Sequence, residues 1–124
     1  MLHLDFESET PIYVQIAEEI EDAILSGAFP PESQVPSTTE ISVSYKINPA
    51  TVLKGINLLV DDDILYKKRG LGMFVKDGAP QKIRTKRQEA FYQKFIVNLL
   101  GEAKKLEIGE SEIIAMIERG MKDE

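Results

Sequence analysis

The side chains with the clearest chemical role in this sequence are cations and polar groups, which can bind a polyanion. A basic run, residues 67–69, stands directly before a glycine-rich turn, residues 70–72. Glycine lets a backbone approach a narrow groove closely, because it carries no side chain. A basic run is often only a solvated face, but this position favours phosphate or minor-groove contact. The residues expected to make it are Lys67, Lys68, Arg69 and the backbone of Gly70.

A second polar set lies within residues 45–60, which contain two lysines and no acid. Asn48 can read the edge of adenine or cap a helix, and we favour the cap. Thr51 suits contact with a base or a phosphate, and it equally suits a neutral surface position. Lys54 lies one helical turn further on and is expected to meet phosphate, with Ala50 on the same exposed face.

The segment Ser37-Thr38-Thr39-Glu40 has the spacing of a capping box at the start of a helix. In that motif the Ser37 hydroxyl accepts from the Glu40 amide, while the Glu40 carboxylate accepts from the Ser37 amide. Amides and hydroxyls at a helix start can also hold a phosphate, so Ser37, Thr38 and Thr39 are candidate contacts. For Ser37 the capping role is the safer prediction.

The chain has few residues of the types that carry out catalysis or bind a metal ion. The chain has no cysteine and a single histidine, His3, which we expect at a frayed end. Asp61-Asp62-Asp63 sits where a helix should end, and we expect it to terminate that helix in solvent. No phosphate loop, nucleophile elbow or paired-carboxylate motif is present, so we expect no enzyme activity, no metal site and no cofactor.

These residues must be positioned by a compact set of elements. Isoleucines at every fourth position predict a helix over residues 11–27, followed by a proline-containing loop over 28–36. A short helix from Ser37 to Tyr45 and a third helix after Asn48-Pro49 form a helix-turn-helix. Strand, glycine turn and strand over residues 64–75 predict a β-hairpin. Helix, helix-turn-helix and hairpin is the order of a winged helix.

The charge balance opposes nucleic-acid binding at first sight. The net charge is −6, and residues 1–78 hold 6 lysines and arginines against 13 acids. Distribution matters more than the sum, because a local basic strip suffices for phosphate contact. Residues 45–60 and the run at 67–69 provide such a strip on an acidic body.

Residues 79–124 are predicted to form a second region, after a linker at 77–80. A long helix over 82–105 and a last helix over 110–121 carry more apolar side chains than one facing helix can cover. Pairing with a second copy would bury them, so we expect a dimerisation arm. Its contact residues are Phe91, Phe95, Ile96, Leu99, Leu100, Ile113, Ile114 and Ile117. No apolar run approaches a membrane span, and a cytoplasmic location is expected.

The chain resembles the GntR family of bacterial regulators over about residues 5–76. The resemblance rests on the joint spacing of Pro11-Ile12-Tyr13, Val35-Pro36-Ser37, Thr51-Val52 and the segment from Arg69 to Val75. The short two-helix tail and Asn48-Pro49-Ala50-Thr51-Val52 resemble the YtrA-like branch. Thr39 and Pro49 stand where many members carry arginine, so less direct guanine readout is expected.

The resemblance implies a mostly α fold with a small β-hairpin: a winged helix-turn-helix over 1–78 and a two-helix dimerisation arm over 79–124. It also implies a transcriptional repressor that binds an inverted-repeat operator in double-stranded DNA as a homodimer. The alternative is a winged-helix module for protein–protein contact, which the acidic balance would suit. The sequence identifies no small-molecule effector.

Overall fold

A computed structural model of the chain describes residues 2–123 and confirms the predicted fold class, mostly helical with one antiparallel hairpin. No helix in the described part is long and apolar enough to cross a bilayer. The elements are α1 (Ile12–Leu25), α2 (Thr38–Tyr45), α3 (Pro49–Asp61), β1 (Leu65–Lys68), β2 (Gly72–Val75), α4 (Ala79–Phe91), a π-helical turn (Tyr92–Ile96), α5 (Val97–Lys105) and α6 (Glu110–Lys122).

The first three helices form because local signals and apolar periodicity agree. In α1, Ile16, Ile20 and Ile24 are buried, one turn apart on the same face. Helix α2 ends at Tyr45, and the left-handed backbone of the next residue, Lys46 (φ 54°), turns the chain sharply towards α3. Helix α3 buries Val52, Gly55, Ile56 and Leu59 along one stripe. One contiguous apolar core joins these helices to the hairpin.

The hairpin pairs Leu65 with Val75 and Lys68 with Gly72, as the predicted turn requires. The predicted loop over 28–36 is confirmed, and its second half is hydrogen-bonded to β2. Gln34 bridges Phe74, and the Val35 amide donates to the Met73 carbonyl at 3.0 Å. The prolines at 30, 31 and 36 leave the intervening amides available for these bonds, and the sheet itself keeps its two strands, β1 and β2.

The N-terminal segment is docked, and the expectation of a frayed end at His3 was wrong. Leu2 is buried, and its amide donates to the Tyr45 hydroxyl at 2.9 Å. The His3 amide donates to the Glu19 carboxylate. The Asp5 amide donates to the Gln15 side chain at 2.8 Å. These bonds join residues that are far apart in the sequence, so local sequence patterns do not predict them. They form only when α1 and α2 are in place.

Helix α4 begins at Ala79, three residues before the predicted start, and takes in part of the expected linker. Pro80 fits there because the first helical turn does not need its missing amide hydrogen. Ala79 and Ile83 are fully buried in the core of the winged helix. The chain divides into two compact units between Arg84 and Thr85.

The second unit contains the rest of α4, the π-helical turn, α5 and α6. The predicted single helix over 82–105 is interrupted by the π-helical turn, Tyr92–Ile96, which shifts the faces of α4 and α5 relative to each other. Residues 106–109 separate α5 from α6. Ala103 is the one buried residue among the described positions of this unit, so its apolar side chains are largely exposed.

Candidate nucleic-acid interface

The face of α3 opposite its buried stripe is exposed, as predicted. Ala50, Lys54 and Asn57 are exposed and Thr51 is partly buried. The Asn48 side chain accepts from the Ala50 amide at 2.8 Å, so Asn48 caps the helix. This bond engages the amide oxygen of Asn48, which limits its ability to read a base. The structure therefore favours the capping interpretation of Asn48.

Leu53 is a member of this exposed face that sequence reasoning missed. Leu53 is 48% exposed, an unusual position for a large apolar side chain. The helical spacing gave the signal, because position 53 is three residues from Ala50 and four from Asn57 and so neighbours both at the edge of the exposed face. The exposed face of α3 is thus made of Ala50, Leu53, Lys54 and Asn57, bordered by Thr51.

Lys54 is held close to α1. Its ammonium lies 4.1 Å from the centre of the Tyr13 ring, a cation–π distance. Gly55 is buried where α3 crosses α1, and a Cβ added to it would meet the Tyr13 carbonyl oxygen at 2.6 Å. Gly55 therefore has a packing role, since it lets α3 cross α1 closely. The position of α3 against α1 is thereby fixed.

The start of α2 has the predicted capping box. The Ser37 hydroxyl accepts from the Glu40 amide at 3.0 Å, and the Glu40 carboxylate accepts from the Ser37 amide at 3.1 Å. Thr38 is partly buried and Thr39 is exposed. Glu40 already places a negative charge at this helix start, so a phosphate would compete with it there.

The wing, residues 65–75, presents its cations unequally. Lys67 and Arg69 are exposed, and Arg69 lies in the turn. Lys68 is partly buried, with its ammonium 4.2 Å from the centre of the Phe74 ring. Gly70 has φ 77°, a left-handed conformation that suits glycine. Of the three cations, Lys67 and Arg69 are therefore the better placed to meet a polyanion.

Gln34 supports the wing turn, a role that sequence reasoning missed. Its side-chain amide donates to the Leu71 carbonyl at 2.6 Å. A Cβ added to Gly72 would lie 2.6 Å from the same Gln34 nitrogen. Residue 72 must therefore be small for Gln34 to reach the turn. Beside it, the Tyr66 hydroxyl donates to the Glu32 carboxylate, which raises the pKa of Tyr66 to about 12.

The three aspartates at the end of α3, residues 61–63, were predicted only to terminate the helix in solvent. That prediction was wrong for Asp63. Its carboxylate accepts from the ammonium groups of Lys76 and Lys82, which hold its pKa at about 2. Lys82 also lies 3.3 Å from the Asp63 carbonyl oxygen. Asp63 thus ties the end of α3 to the chain after β2 and to the first turns of α4. Within the described residues, no cluster of acids and histidine has the arrangement of a metal site.

The family model described as bacterial regulatory proteins, gntR family, matches residues 12–75. The chain belongs to the GntR family. The HTH-type transcriptional repressor YtrA of Bacillus subtilis is 33% identical over 79 residues, 64% of this chain and 61% of YtrA. This similarity confirms the predicted YtrA-like branch. The chain spans less than a third of two other relatives from that organism, 28% and 30% of their lengths.

Two solved GntR structures extend the comparison. A putative transcriptional regulator of the GntR family from Bacteroides thetaiotaomicron is 33% identical, with a TM-score of 0.76. That match covers 90% of this chain and 97% of the other. The AraR DNA-binding domain in complex with operator ORR3 is also 33% identical, with a TM-score of 0.53 over 59% of this chain and 88% of that one.

The predicted dimerisation residues all lie in the second unit. Ile96 and Ile113 are partly buried, and the Phe91 and Phe95 rings pack with centres 5.2 Å apart. An apolar groove of about 320 Å³ runs between α5 and α6. Its apolar lining is Leu99, Ala103, Leu106, Ile108, Ile113, Met116 and Ile117. The side chains that are between 37% and 56% exposed include Phe91, Phe95, Leu99, Leu100, Ile114 and Ile117.

Proposed function

We propose that this GntR-family protein is a transcriptional repressor that binds double-stranded operator DNA as a homodimer. The observation that carries the proposal is the exposed face of α3 on a winged helix whose wing presents Lys67 and Arg69. Similarity to the repressor YtrA and to the AraR domain in its operator complex supports the same conclusion. In this assignment α3 enters the major groove and the wing contacts the neighbouring phosphates or minor groove.

The homodimer is supported by the surface of the second unit. A soluble monomer rarely leaves so many large apolar side chains exposed in one small region. A two-fold pair is the commonest way to cover such a surface. Two copies of α3 would then meet two inverted half-sites, about 34–36 Å or a multiple of that distance apart along the duplex.

The test is binding to duplex DNA. Selection from a random pool at low salt should enrich an inverted repeat, and the affinity for it should fall as salt rises. Thr51→Ala should change the preference at one base pair of each half-site by about 1–3 kcal/mol if the contact is direct. If Thr51→Ala and Lys54→Ala both bind the selected operator as tightly as the wild type does, a different surface reads the bases.

The contribution of the wing cations can be measured in the same DNA-binding assay. Replacing both Lys67 and Arg69 with alanine should make the slope of log affinity against log salt shallower by about 0.9 for each phosphate that is no longer neutralised. Lys104→Ala with Lys122→Ala removes the same charge from exposed positions of the second unit and should leave the slope unchanged. Equal slopes in all three proteins would exclude the wing from the interface.

One observation favours a different function, a winged helix that binds another protein. Residues 1–78 hold more than twice as many acids as lysines and arginines, and phosphate neutralisation must overcome that balance. The two functions separate in the same assay. A protein-binding module would show no affinity for duplex DNA at low salt, whereas the repressor would bind random duplex weakly and the selected operator tightly.

A further inference from the structure

The first two turns of the exposed face of α3 lack free side chains of the types that read most bases, and Asn57 lies one turn further on. Arginine or lysine reads guanine, asparagine or glutamine reads adenine, and carboxylates accept from cytosine. Along this face, Lys54 is drawn over the Tyr13 ring and Asn48 is engaged as a cap. The side chains left on its first two turns are Ala50 and Leu53, which are exposed and apolar, and the partly buried Thr51.

Ala50 and Leu53 lie three residues apart, so they are neighbours on one side of the helix. Leu53 is 48% exposed and projects from the same face as Lys54 and Asn57. The acid on this side of α3, Asp61, lies in the last turn of the helix, eight residues after Leu53. An apolar side chain in the major groove has one base feature to recognise, the C5-methyl group of thymine.

We propose that Leu53, with Ala50 beside it, reads thymine methyl groups in each half-site and is a specificity-determining residue. This inference rests on the proposed DNA-binding function. Burial of one methyl group contributes about 0.8 kcal/mol, which corresponds to about fourfold in affinity. A homodimer that makes the contact in both half-sites should bind about sixteenfold more weakly when both methyl groups are removed.

Uracil substitution isolates that methyl group, because uracil keeps every hydrogen-bonding group of thymine and lacks only the C5-methyl. The duplex selected by the wild-type protein is synthesised with each symmetric pair of thymines replaced by uracil in turn. We expect one or two pairs at which uracil weakens wild-type binding by about sixteenfold. Leu53→Ala should bind the thymine and uracil forms of those duplexes with nearly equal affinity.

Two variants act as controls. Leu53→Met keeps an apolar chain of similar volume and should retain most of the uracil penalty. Leu71→Ala makes the same truncation at an exposed leucine of the wing and should retain the penalty at the same base pairs, whatever its overall affinity. Disappearance of the penalty in Leu71→Ala as well as in Leu53→Ala would assign the effect to general weakening and overturn the inference.

The outcomes separate this inference from the function on which it depends. No binding to any duplex at low salt would refute both. Tight binding to the selected operator without a uracil penalty at any position would refute the reading of methyl groups alone. A penalty that persists unchanged in Leu53→Ala would assign the methyl contact to another residue and refute the role of Leu53.

Discussion

A Cβ atom on Gly55 of α3 would lie 2.6 Å from the Tyr13 carbonyl oxygen of α1. The two helices cross so closely that glycine alone fits at this point without movement of backbone. The adjacent residue, Lys54, places its ammonium 4.1 Å from the centre of the Tyr13 ring. Tyr13 therefore contacts two consecutive residues of α3 and fixes where the exposed face of that helix points.

Gly55→Ala should destabilise the protein by about 1–3 kcal/mol, because an added methyl group must displace the α1 backbone. This destabilisation should exceed the gain in helix propensity of about 1 kcal/mol that alanine brings. The measurement is the free energy of unfolding in urea. Gly101→Ala is the matched control, since a Cβ on this helical glycine meets nothing within 4 Å. It should be neutral or stabilising, and equal stability of Gly55→Ala and wild type would contradict the crowding at the crossing.

Asp63→Asn should remove a pH-dependent contribution to stability. Hydrogen bonds from Lys76 and Lys82 lower the pKa of Asp63 from 3.8 to about 2. A carboxyl whose pKa is depressed by folding stabilises the folded state above its unfolded pKa, and this contribution disappears as the pH falls through the folded pKa. The difference between wild type and Asp63→Asn should therefore be full above about pH 4 and vanish near pH 2.

The measurement is the urea midpoint at a series of pH values and constant salt. Asparagine tolerates the left-handed backbone of Asp63, φ 62°, so the variant isolates the charge. Asp61→Asn, at the exposed end of α3, controls for the change in net charge. A difference between wild type and Asp63→Asn that stays constant from pH 6 to pH 2 would show that the two ammonium groups contribute nothing to stability.

The winged helix was predictable because its signals are local. Ser37 with Glu40, Asn48 with Pro49, and the glycines at 70 and 72 each specify backbone geometry within a few residues. The pairing of the loop at Gln34 with β2 was not predicted, because it depends on a partner about 40 residues away. The early start of α4 was missed because Ala79 gains its burial from the assembled core.

In the candidate interface, the sequence predicted which face of α3 is exposed. It did not predict which of these side chains are held by contacts within the protein. Helical periodicity places Ala50, Lys54 and Asn57 together, and the structure agrees. Leu53 was assigned to neither face, although its spacing places it beside Ala50 and Asn57. The wing cations look equivalent in sequence, and the ring of Phe74 distinguishes Lys68 from its neighbours only once the hairpin is formed.

The last prediction concerns the second unit as a dimerisation arm. Phe95→Asp combined with Leu99→Asp places two charges among its exposed apolar side chains, where burial against a second copy would leave them unpaired and strongly destabilising. We expect the double variant to be monomeric at micromolar concentration, where the wild type is dimeric, and to hold a single half-site weakly. Light scattering measures the mass directly.

The matched control is Val43→Asp combined with Leu71→Asp, which adds the same charge at exposed apolar positions of the first unit. This control should remain dimeric, since neither position lies in the second unit. Dissociation of the dimer in both double variants would indicate that added charge alone prevents association. A monomeric wild type, or a dimeric Phe95→Asp, Leu99→Asp protein, would require the exposed side chains of α4 to α6 to have another partner.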